Sequence, residues 1–416
     1  MGLLDKRPSA LTLALTAVGA LLAAALVVGA FLVATGGTDD GSAKKSLNTE
    51  FREPQEFDLD RVYADSGFDC DSRDTICVRK FLVGVTADYG PRASLPVLER
   101  LQREQRVDLS VNDHDLAHAV GRETAKDFGS NFEAFDLCPT IFNYGCSHGF
   151  FEYVLARTDT PKDAALTVCE TVGGDKNRLL TSGFSCYHGV GHGVMMAQAY
   201  DLSESLGTCN TFPTHQAQEG CWQGVFMENV NAGMTDRARK GVFTRSNPLA
   251  PCDKVARRYK HQCFINHAGW LMRVAQNSVE RATGYCLKVR GADRTSCMQS
   301  VGLMVTNPVW QANLSPNAAK KPQSTVAWEL CSRFPQAGHR DCVIAAVDNL
   351  ANFDQLKVGR ERAFCGEVAN GLKTVCYRQI GANLRGRTQD EAVLRARCGA
   401  LGRNARPCLR GAAIIA

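Results

Sequence analysis

The eighteen cysteines of this 416-residue chain constrain its fold more than any other feature, because they fall into nine closely spaced pairs. In sequence order the pairs are Cys70 with Cys77, Cys138 with Cys146, Cys169 with Cys186, Cys209 with Cys221, Cys252 with Cys263, Cys286 with Cys297, Cys331 with Cys342, Cys365 with Cys376 and Cys398 with Cys408. An even number of cysteines in an exported chain is typical of a disulfide framework. Structural zinc is the alternative, but the sequence contains no C-x-x-C motif. We therefore predict nine sequential disulfides.

The residues around each pair predict a helical hairpin. The first cysteine closes a short apolar or amphipathic run, such as TVAWELC ending at Cys331, and the second opens a longer run, such as CVIAAVDNLANF from Cys342. In that longer run Ile344, Val347 and Leu350 recur at three-residue spacing, which places them on one face of a helix. From the second pair onward the unit recurs at a period that is typical of helical repeats. The sequence thus predicts an all-α array of hairpins, a solenoid or an α/α toroid, stapled by its disulfides.

The N-terminal segment predicts export. Lys6 and Arg7 precede an uncharged stretch, residues 9–38, that is rich in Leu, Ala and Val. A helix needs about 20 apolar residues to cross a bilayer, whereas the apolar part of a signal peptide is usually about 7–15 residues long. We therefore expect a signal-anchor with the body of the chain outside the cytoplasm. The alternative is a cleaved signal peptide, with Val28-Gly29-Ala30 as the processing site.

The predicted organisation has four parts. Residues 1–38 form a cytoplasmic tip and transmembrane helix, residues 39–66 form a flexible acidic linker, and residues 67–250 and 251–416 form N-terminal and C-terminal helical repeats. The predicted location is the cell membrane, with one span and an extracytoplasmic body. The end of the chain is basic, since residues 352–416 hold 12 Lys and Arg against 5 Asp and Glu. This is either an ordinary solvated surface or a contact for an anionic envelope component or another membrane protein. No nucleic-acid partner is expected.

Three motifs in the N-terminal repeats predict a metal site. They are His114-x-x-x-His118, His148-x-x-x-Glu152 and His188-x-x-x-His192. Residues four apart are neighbours on one face of a helix. The last two motifs are in register, because each begins two residues after the second cysteine of its pair. The same two positions of the later repeats hold Gln223 and Met227, Ile265 and Gly269, Gln299 and Leu303, Ile344 and Asp348, Arg378 and Ala382, and Arg410 and Ile414. The repeat therefore does not need histidine there in order to fold.

Imidazole and carboxylate ligands suit Fe, Zn, Cu or Mn. Six such ligands exceed what one catalytic zinc takes, so we expect two metals with Glu152 as the bridge. The order of the last two motifs is similar to part of the hemerythrin pattern. The spacing between them is far longer here and no H-x-x-x-x-D follows, so the chain is not assigned to that family. A buried polar network and b-type haem are the alternatives; c-type haem is not expected, because there is no C-x-x-C-H.

Other residues rank lower. Asp115, Gln223 and Glu228 are expected to support the metal ligands, and His215, His261, His267 and His339 are expected at the surface or as caps. No catalytic residue is assigned, because the sequence has no G-x-S-x-G, P-loop, G-x-G-x-x-G or H-E-x-x-H motif. Two functions remain open: a metal-dependent enzyme, more an oxidoreductase than a hydrolase, and a non-catalytic scaffold with a structural metal or histidine network.

Overall fold

The fold is helical throughout the part of the chain that the computed structural model describes, which is residues 47–108, 113–139, 141–142, 144–172, 179–234, 242–315, 317–354 and 356–415. These ranges contain 21 α-helices and no β-strand. The α-helices are α1 (Leu59–Asp65), α2 (Thr75–Tyr89), α3 (Pro91–Arg103), α4 (Asp113–Asp127), α5 (Phe132–Asp136), α6 (Gly145–Leu155), α7 (Pro161–Val172), α8 (Leu179–Ala197), α9 (Leu202–Cys209), α10 (His215–Met234), α11 (Lys260–Asn266), α12 (Ala268–Val274), α13 (Val279–Cys286), α14 (Gly291–Met304), α15 (Pro308–Leu314), α16 (Gln323–Cys331), α17 (His339–Asp354), α18 (Gly359–Glu367), α19 (Asn370–Arg387), α20 (Glu391–Gly399) and α21 (Ala405–Gly411). Short 3-10 turns occupy Arg257–Tyr259, Ala318–Lys320, Gln336–Gly338 and Gly402–Asn404.

All nine predicted disulfides are confirmed. They are Cys70–Cys77, Cys138–Cys146, Cys169–Cys186, Cys209–Cys221, Cys252–Cys263, Cys286–Cys297, Cys331–Cys342, Cys365–Cys376 and Cys398–Cys408, and in each the two Cα atoms lie 5.4 to 5.8 Å apart. Most of the bridges fasten the end of a short helix to the next, longer helix, as Cys365 of α18 does to Cys376 of α19. The hairpin unit that the cysteine spacing predicted is therefore the unit of the fold.

Short polar residues begin three of the first helices of these hairpins. Asp201, Ser278 and Asp390 are the N-caps of α9, α13 and α20, and each side chain accepts a hydrogen bond from a backbone N–H of the first helical turn. Such caps satisfy donors that have no partner inside the helix. The chain therefore begins these helices at positions that its own sequence marks.

The second helices of the hairpins stack in a row. In chain order α2, α4, α6, α8, α10, α11, α14, α17, α19 and α21 each pack against the next, and α19 also contacts α8. Residues 46–416 belong to one compact unit. Its main apolar core runs without a break from Ala125 to Ala412, and a smaller core, from Val62 to Cys146, lies under the first helices. An array in which each unit covers its neighbour buries its core in this way.

The predicted transmembrane segment, residues 9–38, lies outside the described residues. Within the described ranges, no helix combines the length and the apolar character needed to cross a membrane. Part of the predicted linker is structured: the backbone N–H of Arg52 donates to the Phe128 carbonyl, and that of Ser130 donates to the Asn48 carbonyl. Helix α1 also falls inside that segment.

One histidine prediction holds only in part. His267 was expected at the surface or as a cap, and it does occupy the cap position between α11 and α12, but its side chain is fully buried and makes no capping hydrogen bond. Its Nε2 lies 2.7 Å from the Pro248 carbonyl oxygen, to which it donates. The apolar positions of this region do not repeat regularly enough to reveal that the histidine faces the core, because a 3-10 turn and two short helices follow one another here.

Candidate metal centre

Four neighbouring helices of the row, α4, α6, α8 and α10, bring the predicted site residues together. All five histidines of the three motifs and Glu152 meet in one cluster, where the contacting imidazole rings have centroids 4.5 to 5.7 Å apart. Of these six residues, only His114 is more than 9% exposed. We call these six residues, with Gln223 and Glu228, the histidine cluster.

Glycines on all four helices, among them Gly121, Gly149, Gly191 and Gly224, let the helices of the cluster approach closely. A Cβ atom on Gly149 of α6 would lie 1.9 Å from the carbonyl oxygen of His118, and one on Gly224 of α10 would lie 1.9 Å from that of His188. Only glycine fits at such backbone contacts. The contacts also fix the register of the repeats: His118 takes the place in α4 that His188 takes in α8. The second histidine of His114-x-x-x-His118 therefore matches the first histidine of His188-x-x-x-His192. Within its repeat, the first motif lies one helical turn closer to the start of the helix.

The first histidine pair is held through its Nδ1 atoms. His114 Nδ1 lies 2.8 Å from the Phe142 carbonyl oxygen, and His118 Nδ1 lies 2.5 Å from Glu152 Oε1. The other oxygen of Glu152 accepts from Arg122. Phe142 adopts a left-handed backbone conformation, with φ 54°, just before α6. Bulky residues rarely do so, and such strain is common beside functional groups.

These contacts determine which nitrogens carry protons. A carbonyl oxygen and an ionised carboxylate only accept, so Nδ1 of His114 and Nδ1 of His118 are the donors. The two Nε2 atoms then face each other at 3.0 Å. Two neutral rings in these tautomers would set lone pair against lone pair. A positive ion, either a proton or a metal, is therefore required between these two Nε2 atoms.

The second pair repeats this arrangement. His188 Nδ1 lies 2.8 Å from Gln223 Oε1, His192 Nδ1 lies 3.1 Å from Glu228 Oε2, and the two Nε2 atoms are 3.3 Å apart. Ligand nitrogens at about 2.0–2.1 Å from a tetrahedral metal lie about 3.3 Å from one another. Metal-binding histidines usually donate their other N–H to a carboxylate or carbonyl, as these do. Both pairs thus have the geometry of oriented ligands.

His148 lies between the two pairs and differs from the other four histidines. Its ring lies nearly parallel to those of His188 and His192, at 4.7 and 4.5 Å, and is at a steep angle to those of His114 and His118. It is 3% exposed, and its Nδ1 has no hydrogen-bond partner in the part of the chain that the structure describes. A buried polar atom without a partner costs about 1–3 kcal/mol. A metal ion bound among the five imidazoles would give this nitrogen a partner, so the position of His148 is consistent with that of a metal ligand.

Burial keeps most of these imidazoles neutral. It lowers the pKa of His114, His188 and His192 to about 3, and it lowers the pKa of His148 well below its ordinary value. The neutral ring is the form that binds a metal.

His118 differs from the other four histidines of the cluster, because its charged form is favoured. Burial opposes its charged form, but the carboxylate of Glu152 outweighs burial and raises the pKa of His118. Burial likewise acts to raise the pKa of Glu152, whereas His118 and Arg122 hold that pKa well below its usual range. In the absence of a metal, the ion between the Nε2 atoms of the first pair is therefore a proton on His118. A metal that bound there would displace it.

Three overlapping groups of side chains can hold a metal ion. They are His114, His118 and His148; His148, His188 and His192; and Glu152, His192 and Glu228. Within each group the ligand atoms all lie within 4.8 Å of one another. Successive groups share one residue, His148 and then His192. The cluster therefore offers neighbouring metal positions across α4, α6, α8 and α10.

The supporting residues fall partly where the sequence placed them. Gln223 and Glu228 contact His188 and His192, whereas Asp115 has an exposed side chain. Sequence reasoning missed Arg122 and the Phe142 carbonyl. Arg122 carries a usable signal, because it lies four residues after His118 on the same helix face. A backbone carbonyl in an irregular turn carries none.

Comparisons with models of known protein families, with curated proteins and with solved structures find no match. Neutral, oriented imidazoles with carboxylate support can hold Fe, Cu, Mn or Zn. The contacting rings leave no gap between them for a porphyrin, so the geometry does not favour b-type haem.

Proposed function

We propose that this chain is a membrane-anchored, extracytoplasmic metalloprotein that binds a transition metal in the histidine cluster. The observation that carries the proposal is that two oriented Nε2 pairs lie around His148, whose buried Nδ1 has no hydrogen-bond partner among the described residues. A purely structural network would be expected to satisfy each buried nitrogen, because unsatisfied polar groups are rare in native proteins. A bound metal would satisfy them all.

We favour an oxidoreductase over a hydrolase. The ligand set is rich in histidine, which suits Fe, Cu and Mn as well as Zn. The ligands other than His114 are buried, so only a small molecule would reach the metal without a rearrangement. Hydrolysis of an envelope polymer would need a larger opening and a free general base, whereas the carboxylates of Glu152 and Glu228 contact His118 and His192. Metals that change oxidation state suit a closed site of this kind.

The proposed location has two supports. Nine disulfides persist only in an oxidising compartment. The uncharged stretch of residues 9–38 is long enough to remain as an anchor. The basic C-terminal repeats would then face the envelope, where an anionic component or another membrane protein is the expected partner.

The first experiment is a metal measurement on the full-length protein, purified from an oxidising compartment without a histidine tag. Elemental mass spectrometry should find at least one equivalent of Fe, Cu or Mn, and His148→Ala should lose most of it while keeping wild-type helical circular dichroism. His215→Ala is the matched control, because His215 pairs with Glu219 on the exposed surface of α10. Its metal content should be unchanged.

Two outcomes would reject parts of the proposal. If zinc alone binds, and no electron paramagnetic resonance signal appears or changes on reduction and reoxidation, the oxidoreductase assignment fails. If no metal binds even after reconstitution, metal binding itself fails. The second candidate function, a disulfide-stapled binding scaffold with a buried histidine network, would then be favoured by the proton that His118 can hold between the first Nε2 pair.

A further inference from the structure

We infer that the cluster holds two metal ions at once and that His148 binds both, one through each ring nitrogen. This inference rests on the proposed metal binding. It differs from the expectation drawn from the sequence, in which Glu152 was the bridge. The five histidines differ in how their two ring nitrogens are used.

Four of the five histidines have one nitrogen committed to the protein. Nδ1 of His114, His118, His188 and His192 each faces an oxygen acceptor, so each of these rings offers only Nε2 to a metal. His148 is different, because its Nδ1 is buried and has no partner among the described residues. Among the described residues, it is therefore the one ring of the cluster whose Nδ1 faces no hydrogen-bond acceptor.

The positions of the other rings divide them into two sets. His148 belongs to a compact group with His114 and His118 and to another with His188 and His192. Within the two sets, the Nε2 atoms are 3.0 and 3.3 Å apart. These distances suit two ligands of one ion whose bonds are about 2.0–2.1 Å long. Each set, completed by His148, gives three nitrogen ligands and an open position.

Glu152 is less suited to bridge the ions. Oε1 contacts His118 Nδ1 and Oε2 contacts Arg122, so both oxygens already have protein partners. In this arrangement Glu152 holds His118 as Glu228 holds His192. Each set then has one histidine, His118 or His192, whose Nδ1 contacts a carboxylate. A carboxylate is the usual partner of a metal-bound imidazole.

The shared ring has a chemical consequence. One nitrogen of a neutral imidazole carries a proton, so the ring binds the first ion through the other nitrogen. When the second ion binds, it replaces the remaining ring proton, which passes to solvent, and the ring becomes an imidazolate. The ring and two metal–nitrogen bonds of about 2.1 Å place the ions about 6 Å apart. Ions joined in this way are electronically coupled.

Copper(II) is the probe that tests this arrangement. We would titrate metal-free, full-length protein with Cu²⁺ and follow the integrated spin by electron paramagnetic resonance. The first equivalent should give the signal of an isolated ion, and the second should lower the integrated spin to less than half of that of two isolated ions. His114→Ala and His188→Ala should each bind one equivalent with full, uncoupled spin, whereas His215→Ala should behave as wild type.

The outcomes separate this inference from the metal proposal. Saturation at one equivalent, or two equivalents with full spin, would overturn the shared ligand and leave metal binding intact. No copper binding at all would reject both. His148→Ala should weaken both sites by at least tenfold, since each set then keeps only two histidines; loss of one ion alone would also contradict the inference. The wild-type spin measurement decides the question even if a variant fails to fold.

Discussion

A single methyl group on Gly149 should open the metal centre without removing a ligand. The Cβ atom of an alanine there would lie 1.9 Å from the carbonyl oxygen of His118, whereas real Cβ contacts are hardly ever shorter than 3.0 Å. Helices α4 and α6 must therefore shift by about 1.1 Å or more along this contact. A functional site tolerates displacements of only about 0.5 Å. His114 and His118 would move away from His148 as a unit.

The expected effect on affinity is larger than the effect on stability. Removing a group that only orients a ligand typically lowers metal affinity by roughly 10–100-fold, so moving two ligands should cost at least as much. Overpacking costs roughly 1–3 kcal/mol, but alanine is favoured over glycine in a helix by roughly 1 kcal/mol. The free energy of unfolding should then fall by only about 0–2 kcal/mol. The Cys138–Cys146 disulfide still holds the hairpin closed.

Gly381→Ala is the matched control. A Cβ atom on Gly381 of α19 would lie 1.8 Å from the carbonyl oxygen of Cys408, so the same clash arises between α19 and α21. That variant should lose a similar amount of stability and keep its metal. The assay is a chelator-competition titration beside thermal unfolding by circular dichroism. Wild-type affinity in Gly149→Ala would refute the reasoning, and so would equal metal loss in Gly381→Ala.

Two further predictions concern stability. Replacing Cys365 and Cys376 by serine opens a bridge with a sequence separation of 11 residues. The free energy of unfolding should fall by about 3 kcal/mol, and the metal content should stay unchanged. Chemical denaturation and elemental analysis would check these two results. Burial lowers the pKa of His267 to about 4 from 6.5, so the unfolded chain binds a proton first as the pH falls. His267 alone should therefore cost about 3 kcal/mol of stability between pH 6.5 and 4. Denaturation of His267→Gln at both pH values should show a smaller drop, and an equal drop would contradict the assignment.

The sequence predicted the fold well because its strongest signals are local. A disulfide between Cys331 and Cys342 closes a short loop, and the helical face of Ile344, Val347 and Leu350 is read within one helix. The confirmed framework follows from such short-range patterns repeated along the chain. Nothing in them says how α19 comes to contact α8, because that contact depends on small rotations accumulated over many units.

The site was predicted in composition but not in detail. Spacing placed His148 and His188 on matching helix positions, and they do meet. Glu228 was expected to support the metal ligands, and it contacts His192 although it follows the matching face position of α10 by one residue, which is about 100° around an ideal helix. A long carboxylate side chain on a tilted, closely packed helix reaches further than an ideal helical wheel suggests. The role of Glu152 as a partner of His118 and Arg122 depends on the register between α4 and α6, which the glycine contact determines.

The C-terminal repeats indicate that the fold does not require the histidine cluster. Gly381 and Gly411 let α19 and α21 pack as closely as Gly149 lets α6 pack on α4, and the Cα atoms of the disulfides there are 5.7 and 5.5 Å apart, close to the 5.4 Å of Cys138–Cys146. Yet the positions that match His148 and His188 hold Arg378 and Arg410. Close packing of this repeat therefore does not select histidine. Five imidazoles in contact, one of them with a buried nitrogen that lacks a partner among the described residues, weaken a hairpin array unless an ion binds them. The cost of burying them is consistent with the metal binding that we propose.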